Sequence, residues 1–478
     1  MLFNSRSGIF ASLAIAISTL CWAQRPNVVF VLADDFSSNL VAYMPHLQAM
    51  QKEGTSFERY FVTNSLCCPS RATIFTGQMP HNTQVMTNEA PTGGYAAFVA
   101  HHNPAKSFAL ALQAAGYRTA MMGKHLNGYH PGQHPVPVGW SDWFVVGGGG
   151  YSGYNYQVNH NGKVVHFGHR SADYVTDVLA ARADAFIRAA GEQAFFIEIA
   201  TFAPHAPYTP APRHAHEFNG LKAPRSPAFA WRAVANAPLW LRQIPALSAK
   251  DLSRLDETFR KRVQSVQAID EMLGQLRATL AATGKTNTTY VVFSADNGLH
   301  LGEYSLRSGK MTPFDIDVRV PLIVAGPGVA KGHTSEALVA NIDLAPTFAA
   351  WAGASLPSPP DGRSFADLLK GAAVTAGRQV LSIEHLNHAH RADDPDAPTP
   401  YGANPPTYTA LRSANFLYVE YATGEMAYYD LPSDPHQLNN QLNLLPMQKR
   451  EQLHEALLAH KNCKGQTCRQ AQDRPMAP

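Results

Sequence analysis

The segment Leu66-Cys67-Cys68-Pro69-Ser70-Arg71-Ala72-Thr73-Ile74-Phe75-Thr76-Gly77 concentrates more chemistry than any other stretch of this chain. Pro69 suits the first turn of a helix and Gly77 its stop. Cys67 then falls at the helix N-terminus, where the dipole favours negative charge, and Arg71, four residues on, adds a cation. A buried cysteine pair at a helix start is the purely structural reading. A redox pair is disfavoured because the spacing is not C-x-x-C. Two other pairs, Asp34-Asp35 and Asp296-Asn297, offer hard oxygen ligands. Carboxylates brought together repel strongly unless a cation lies between them, and an all-oxygen set favours Ca²⁺ or Mg²⁺ over Zn²⁺. Taken singly, each pair suits a cap or a turn; together they suggest a metal site.

The elements that must position these residues share one layout. Residues 27–33 form an apolar strand pattern ending in Asp34-Asp35, and residues 289–295 end in Asp296-Asn297-Gly298. Residues 194–200 run into Pro204-His205, and residues 117–122 into Gly123-Lys124-His125. Helical patterns at 107–115, 171–190 and 252–282 lie between them. Strands alternating with helices predict an α/β fold, with a large, mostly parallel or mixed sheet sandwiched by helices. In such sheets ligands bind beyond the carboxyl ends of the strands, where all four polar clusters fall. Past about residue 375 the pattern changes to a Pro-rich stretch, extended candidates at 409–421 and 426–431, and a helical pattern at 446–459. This predicts a small antiparallel sheet with a helix. The expected division is a leader at 1–23, a catalytic domain at 24–375 and a small α+β unit at 376–478.

The core Cys67-Cys68-Pro69-Ser70-Arg71 followed by Thr76-Gly77 resembles the signature of the type I sulfatases, of the alkaline phosphatase-like superfamily. The resemblance extends over nearly the whole chain after residue 23. It takes in 26–35, Gly123-Lys124, Pro204-His205, 294–321 with Lys310, and 427–431 with Asp434-Pro435 and Asn439. It implies that Cys67, not Cys68, is oxidised to Cα-formylglycine by a sulfatase-maturation enzyme. It also implies a Ca²⁺ ion, with Mg²⁺ the alternative, held by Asp34, Asp35, Asp296, Asn297 and the modified Cys67. One hydroxyl of the hydrated aldehyde would attack sulfur, the alcohol would leave, and the second hydroxyl would expel sulfate. Arg71 would hold the diol; Lys124, Lys310 and His205 would clamp the sulfate, and a histidine would protonate the leaving oxygen. Gly123-Lys124-His125-Leu126-Asn127-Gly128 departs from the common Gly-Lys-Trp-His-Leu-Gly and resembles the glucosamine-6-sulfatase and endosulfatase branch. His125 is therefore either the diol-contacting base or a loop histidine facing elsewhere. His300, four residues after Asp296, is a candidate leaving-group contact. The implied substrate is a carbohydrate sulfate of the glucosamine-6-sulfate type or an aryl sulfate. A phosphonate monoester or phosphodiester hydrolase is the alternative, and a non-enzymatic binding module a third reading.

Composition narrows the remaining classes. The chain has 478 residues, a formal charge of +3, 45% apolar and 16% charged residues, and five cysteines. That excludes a disordered chain and a disulfide-dense scaffold and leaves no electrostatic footprint for nucleic acid. Arg6 followed by an apolar run at 9–20 resembles an export signal cleaved after Ala23, too short for a spanning helix. The product is expected to be periplasmic or secreted, with no stable membrane insertion. Cys463 and Cys468 could close a small staple. The Gly147–Gly150 loop with Tyr151, Tyr154 and Tyr156 suggests a surface loop, a sugar-stacking lip being the lesser reading. Substrate choice is expected in loops at 147–160, 207–240 and 385–407, with Trp231, Trp240, His385 and His388 as candidates.

Overall fold

The strand Asn27–Ala33 is buried at every position, which requires cover on both faces and a neighbour on each side. A computed structural model, describing residues 25–371, 377–391 and 394–476, supplies both. The leader expected at 1–23 and the boundary at 375 lie outside the described residues. Ten strands form one sheet in the order 333–335, 55–57, 322–325, 289–295, 27–33, 195–200, 118–124, 142–146, 156–160, 163–167. The five from 289–295 to 142–146 are all mutually parallel, and antiparallel strands extend the sheet on both sides. The sheet is therefore mixed with a parallel centre, as expected.

Strand register decides which polar residues meet at the sheet's carboxyl edge. Ala33 pairs with Ala295, so Asp34-Asp35 and Asp296-Asn297 emerge side by side. Gly123 pairs with Ala200, which brings Lys124 and the 201–207 loop to the same edge. On one face Phe30 and Phe196 meet Phe108 and Phe348 of the helices Phe108–Ala114 and Leu344–Ala352. The helices Val175–Ala189 and Ala249–Ala282 pack on each other as a second group. The long helix starts where Ser248 and Asp251 cap it reciprocally, a device that satisfies two orphan donors.

The strands Val380–His385, Tyr408–Ser413, Phe416–Tyr421 and Met426–Asp430 form a separate antiparallel sheet. The single extended candidate at 409–421 is thus a hairpin, turning at Ala414-Asn415. The helix Met447–Lys461 buries Leu453, Ala456 and Leu457 against Val380, Leu411 and Tyr418 of that sheet. Cys463 and Cys468 form the expected disulfide, with Cα atoms 4.7 Å apart.

Candidate active site

The helix Cys67–Thr76 is buried along its whole length and stops at Gly77, whose φ of 69° is the left-handed turn glycine adopts without strain. Its first residue points at the carboxyl edge of the central strands. Cys67 Sγ lies 3.1 Å from Lys310 Nζ, 3.4 Å from Asp34 Oδ1, 3.6 Å from Asp396 Oδ1 and 4.0 Å from Asp35 Oδ1. One turn on, Arg71 donates from Nε to Asp296 Oδ2 at 2.8 Å and from Nη1 to the Lys124 carbonyl at 2.9 Å. Its Nη2 stands 3.8 Å from Asp34 Oδ1. Lys124 Nζ donates to Asp34 Oδ2 at 2.6 Å. Lys310 Nζ donates to Asp35 Oδ1 at 2.6 Å and to Asp396 Oδ1 at 2.5 Å. His205 Nε2 lies 2.7 Å from the same Asp396 oxygen and 3.5 Å from Asp35 Oδ2. All of these side chains are buried.

Desolvation and charge work against each other here. Burial pushes the Asp34 carboxyl up to about 6, with Lys124 opposing the rise. Burial also disfavours the Asp296 carboxylate, but Arg71, Lys124 and Lys310 outweigh it and hold that group at about 2. Burial likewise works against charged Lys124 and Lys310, yet the carboxylates beside them keep both well above the ordinary lysine range. His205 is raised despite burial, by Asp35, Asp34 and Asp396. Burial, Asp34 and Asp396 push the Cys67 thiol well up. A thiol held in that state is a poor nucleophile, because the thiolate is the reactive form.

The donor set suits a hard cation. Asp34, Asp35, Cys67 and His205 each offer a ligand atom, all within 4.8 Å of one another. Asn297 Nδ2 donates to Asp35 Oδ1 and to the Gly298 carbonyl, while its Oδ1 is buried with no hydrogen-bond partner. An orphaned amide oxygen among carboxylates is a free hard ligand. Asp296 is more occupied: Oδ1 accepts from the amides of Asp35 and Asn297, and Oδ2 from Arg71.

Two candidate histidines lie outside this hydrogen-bond network. His125 has both ring nitrogens buried and unpartnered, within a ring of Phe75, Tyr95, Tyr129 and Trp143. Burial drives it down to about 3, so it is neutral and has no hydrogen bond to the cluster. His300 is also buried, but Asp317 takes its Nδ1 at 2.9 Å and the Gly402 carbonyl its Nε2 at 3.2 Å. Neither hydrogen-bonds to Cys67 or to its carboxylate and lysine neighbours; for His125, of the two readings, the histidine facing elsewhere fits this placement. Two further side chains join the site: Asp396, which the sequence does not single out, and Tyr151, from the loop whose lesser reading is a sugar-stacking lip. Asp396 comes from the connection between the first two strands of the small sheet, and its Oδ2 accepts from Asn88 and Asn127. Tyr151 stacks obliquely on His205 at 4.7 Å and lies under Lys124 Nζ at 4.9 Å, so the Gly/Tyr loop is a wall of the site rather than plain surface. Residues 394–396 separate cavities of about 520 and 890 Å³. Asp35, His205 and Lys310 face the first, Asn127, Lys124 and Tyr151 the second. Of the loop candidates, His385 is bonded to the Pro405 carbonyl, and Trp231 and Trp240 pack against Tyr304 and Phe314.

The family model described as Sulfatase matches residues 26–354, and one described as N-sulphoglucosamine sulphohydrolase, C-terminal, matches residues 302–462. An N-acetylglucosamine-6-sulfatase of Capra hircus is 34% identical over 477 residues, covering 94% of this chain and 85% of that protein. An extracellular sulfatase of Drosophila melanogaster is 32% identical over 355 residues, covering 72% of this chain and 31% of that protein. A solved structure described as a complex with its substrate D-glucosamine-2-N,6-O-disulfate superposes with a TM-score of 0.77 at 22% identity, covering 95% of this chain and 99% of that one.

Proposed function

Because the chain belongs to the sulfatase family and is a sulfuric ester hydrolase, we propose that it removes 6-O-sulfate from a glucosamine-type sugar, using Cys67 converted to Cα-formylglycine and a bound Ca²⁺. The observation that carries this reading is the position of Cys67 Sγ, within 4.0 Å of two carboxylates at strand ends and of Lys310. A neutral, desolvated thiol there has little use as a nucleophile; an aldehyde hydrate supplies a hydroxyl to attack sulfur and a second to release sulfate. Ca²⁺ would be held by Asp34, Asp35, Asp296 and the free Oδ1 of Asn297, and would supply charge stabilisation beside residue 67. The family generally uses this pair, and the N-acetylglucosamine-6-sulfatase relative supports the sugar class.

The chain's own residues have separable tasks. Four carboxylates (Asp34, Asp35, Asp296, Asp396) face three fixed cations (Arg71, Lys124, Lys310). A divalent ion turns that balance positive, as an anionic sulfate ester requires. Arg71 locks Asp296 and the Lys124 carbonyl, which sets where Lys124 can reach. Lys124 and Lys310 donate to sulfate oxygens as negative charge develops on them. His205, kept protonated by its acidic neighbours, gives its proton to the leaving sugar oxygen as the S–O bond breaks. His205 is the sequence-predicted histidine that makes hydrogen-bond contact with the cluster, so the general-acid role falls to it. The Tyr151 wall suits the face of a sugar ring.

Export and maturation by a formylglycine-generating or related enzyme belong to the same proposal. The extracellular relative supports export, and among the described residues no helix is long and apolar enough to cross a membrane. The test is a mass spectrum of the Cys67 peptide from protein matured in an oxidising host, with turnover of N-acetylglucosamine-6-sulfate, an aryl sulfate and an aryl phosphonate. An aldehyde at residue 67 and preference for the sugar sulfate are expected. Full activity in Cys67→Ala would overturn the mechanism, and faster phosphonate turnover the substrate assignment.

A further inference from the structure

Asp35 is held at three points, and only one of them is the carboxylate. Its φ of 56° lies in the left-handed region, which a residue with a Cβ enters at a cost. Its backbone N–H donates to Asp296 Oδ1 at 3.1 Å. Its Oδ1 accepts from Asn297 Nδ2 at 2.7 Å and from Lys310 Nζ at 2.6 Å. A buried carbonyl must also find a donor. The Asp35 carbonyl finds Arg262 Nη2 at 2.7 Å, from the middle of the helix Ala249–Ala282.

Arg262 is costly where it stands. It is fully buried, and Phe259, Val263 and Val266 near it on the helix are buried apolar side chains. Among the described residues its hydrogen bonds go to the Asp35 carbonyl and to Ser37 Oγ, both from Nη2, so neither acceptor carries a charge. Its Nε and Nη1 are buried without a partner. Burial lowers its pKa, and Tyr208, Asp35, Glu303 and Asp317 nearby do not make up the loss. Packing alone would be better served by an apolar side chain of similar size.

The one nitrogen that is used ties both ligand pairs together. Nη2 donates to Ser37 Oγ at 3.1 Å. Ser37 Oγ in turn donates to the Leu299 carbonyl at 2.7 Å and accepts the Leu299 N–H at 3.2 Å. Asp34-Asp35 and Asp296-Asn297 are thus joined two residues beyond each pair, in addition to the register that pairs Ala33 with Ala295.

We propose that Arg262 is a positioning residue for the cation site: it fixes the left-handed Asp35 turn and its distance from Asn297, so that the ligands are set before the ion arrives. The proposal rests on the reading that this cluster holds Ca²⁺. Affinity for a hard cation depends on how rigidly its oxygen ligands are held, and partners that orient a ligand typically carry roughly 10- to 100-fold of metal affinity. The sign separates positioning from charge. A guanidinium near the site repels the ion, so charge alone predicts tighter Ca²⁺ binding when it is removed; positioning predicts weaker binding.

The test is calorimetric titration of the matured, full-length protein with CaCl₂, with hydrogen exchange of the metal-free protein followed over residues 34–40. Arg262→Met should weaken Ca²⁺ binding at least tenfold and speed exchange over 34–40 at least tenfold, while exchange over 195–200 stays within about threefold. Arg262→Lys, which keeps a charged donor, should return the affinity to within about threefold of the wild type. Wild-type or tighter Ca²⁺ binding in Arg262→Met overturns the positioning role. So does exchange that speeds equally across the whole sheet, the mark of lost stability alone. Absence of Ca²⁺ uptake by the wild type itself would sink the Ca²⁺ reading instead, and exchange over 34–40 then still decides whether Arg262 holds Asp35. If Arg262→Met folds poorly, Ser37→Ala, which cuts the same tie at the Leu299 end, decides by the same two readouts.

Discussion

Glu198 offers the sharpest test of the sheet's electrostatics. It lies mid-strand in Phe195–Ala200, paired across to Phe30 on one side and Met121 on the other. Both carboxyl oxygens are buried and without a partner. Burial pushes the group up to about 8, with Arg71 as the opposing influence. The native protein therefore keeps a proton there at neutral pH that the unfolded chain releases above 4.5. Stability owed to that proton is fully present below 4.5 and is lost as pH rises towards about 8. At about 1.4 kcal/mol per pH unit, the gap amounts to about 5 kcal/mol, a ceiling once the protein relaxes. A chain of this length unfolds with an entropy of roughly 1 kcal/mol/K, so that energy moves Tm by about 5 °C. Glu198→Gln has the shape of the neutral acid without the titration. Melting curves of both proteins at pH 4.5, 6, 7 and 8.5 should show the variant's relative Tm climbing by about 5 °C across the series. A constant offset between the two at every pH would refute a protonated Glu198, because the amide's own burial cost does not change with pH.

The other expectations concern the site and its supports. His125→Phe should keep kcat/KM for a sulfate ester within about threefold, since the ring sits among aromatics and the change conserves packing; a loss of a hundredfold would restore it to the mechanism. Asn297→Ala should weaken Ca²⁺ binding at least tenfold in a calorimetric titration, and unchanged affinity would remove its Oδ1 from the ligand set. His205 should make kcat for a sugar sulfate fall as pH rises through its raised value, with a weaker fall for an aryl sulfate whose leaving group needs no proton; equal profiles would remove the acid role. His81 loses some charge stability to burial, but Glu384 at 2.6 Å more than restores it and lifts the group to about 9. That pair should add on the order of 2 kcal/mol below pH 6.5, lost as pH passes through about 9, and a Tm in His81→Asn that falls equally above pH 7 would disprove it.

How much of this site is legible in the sequence depends on how locally each feature is encoded. The four strand ends are legible because a mostly apolar run leading to acids, a lysine or a histidine has few other uses in a parallel sheet. The pairing of Ala33 with Ala295 then turns two separate motifs into one ligand set. For His125, strand geometry favours one of its two readings: successive side chains leaving a strand point to opposite sides. If Lys124 reaches Asp34, His125 must turn away, and it does, into the aromatic cluster. His300 is governed by Asp317, seventeen positions on, which no local pattern announces. Asp396 was invisible for a different reason. It stands in a Pro-rich loop beside other acids, and only the three-dimensional course of that loop selects the one that reaches Lys310. Its arrival changes the site's logic. Three carboxylates would balance Arg71, Lys124 and Lys310, and a protonated His205 would then leave the cluster positive. The fourth carboxylate cancels that surplus, beside a cysteine thiol and facing the place where an anionic ester must enter. The cluster is then neutral, and the divalent cation proposed for Asp34, Asp35, Asp296 and Asn297 would make it positive where the ester enters.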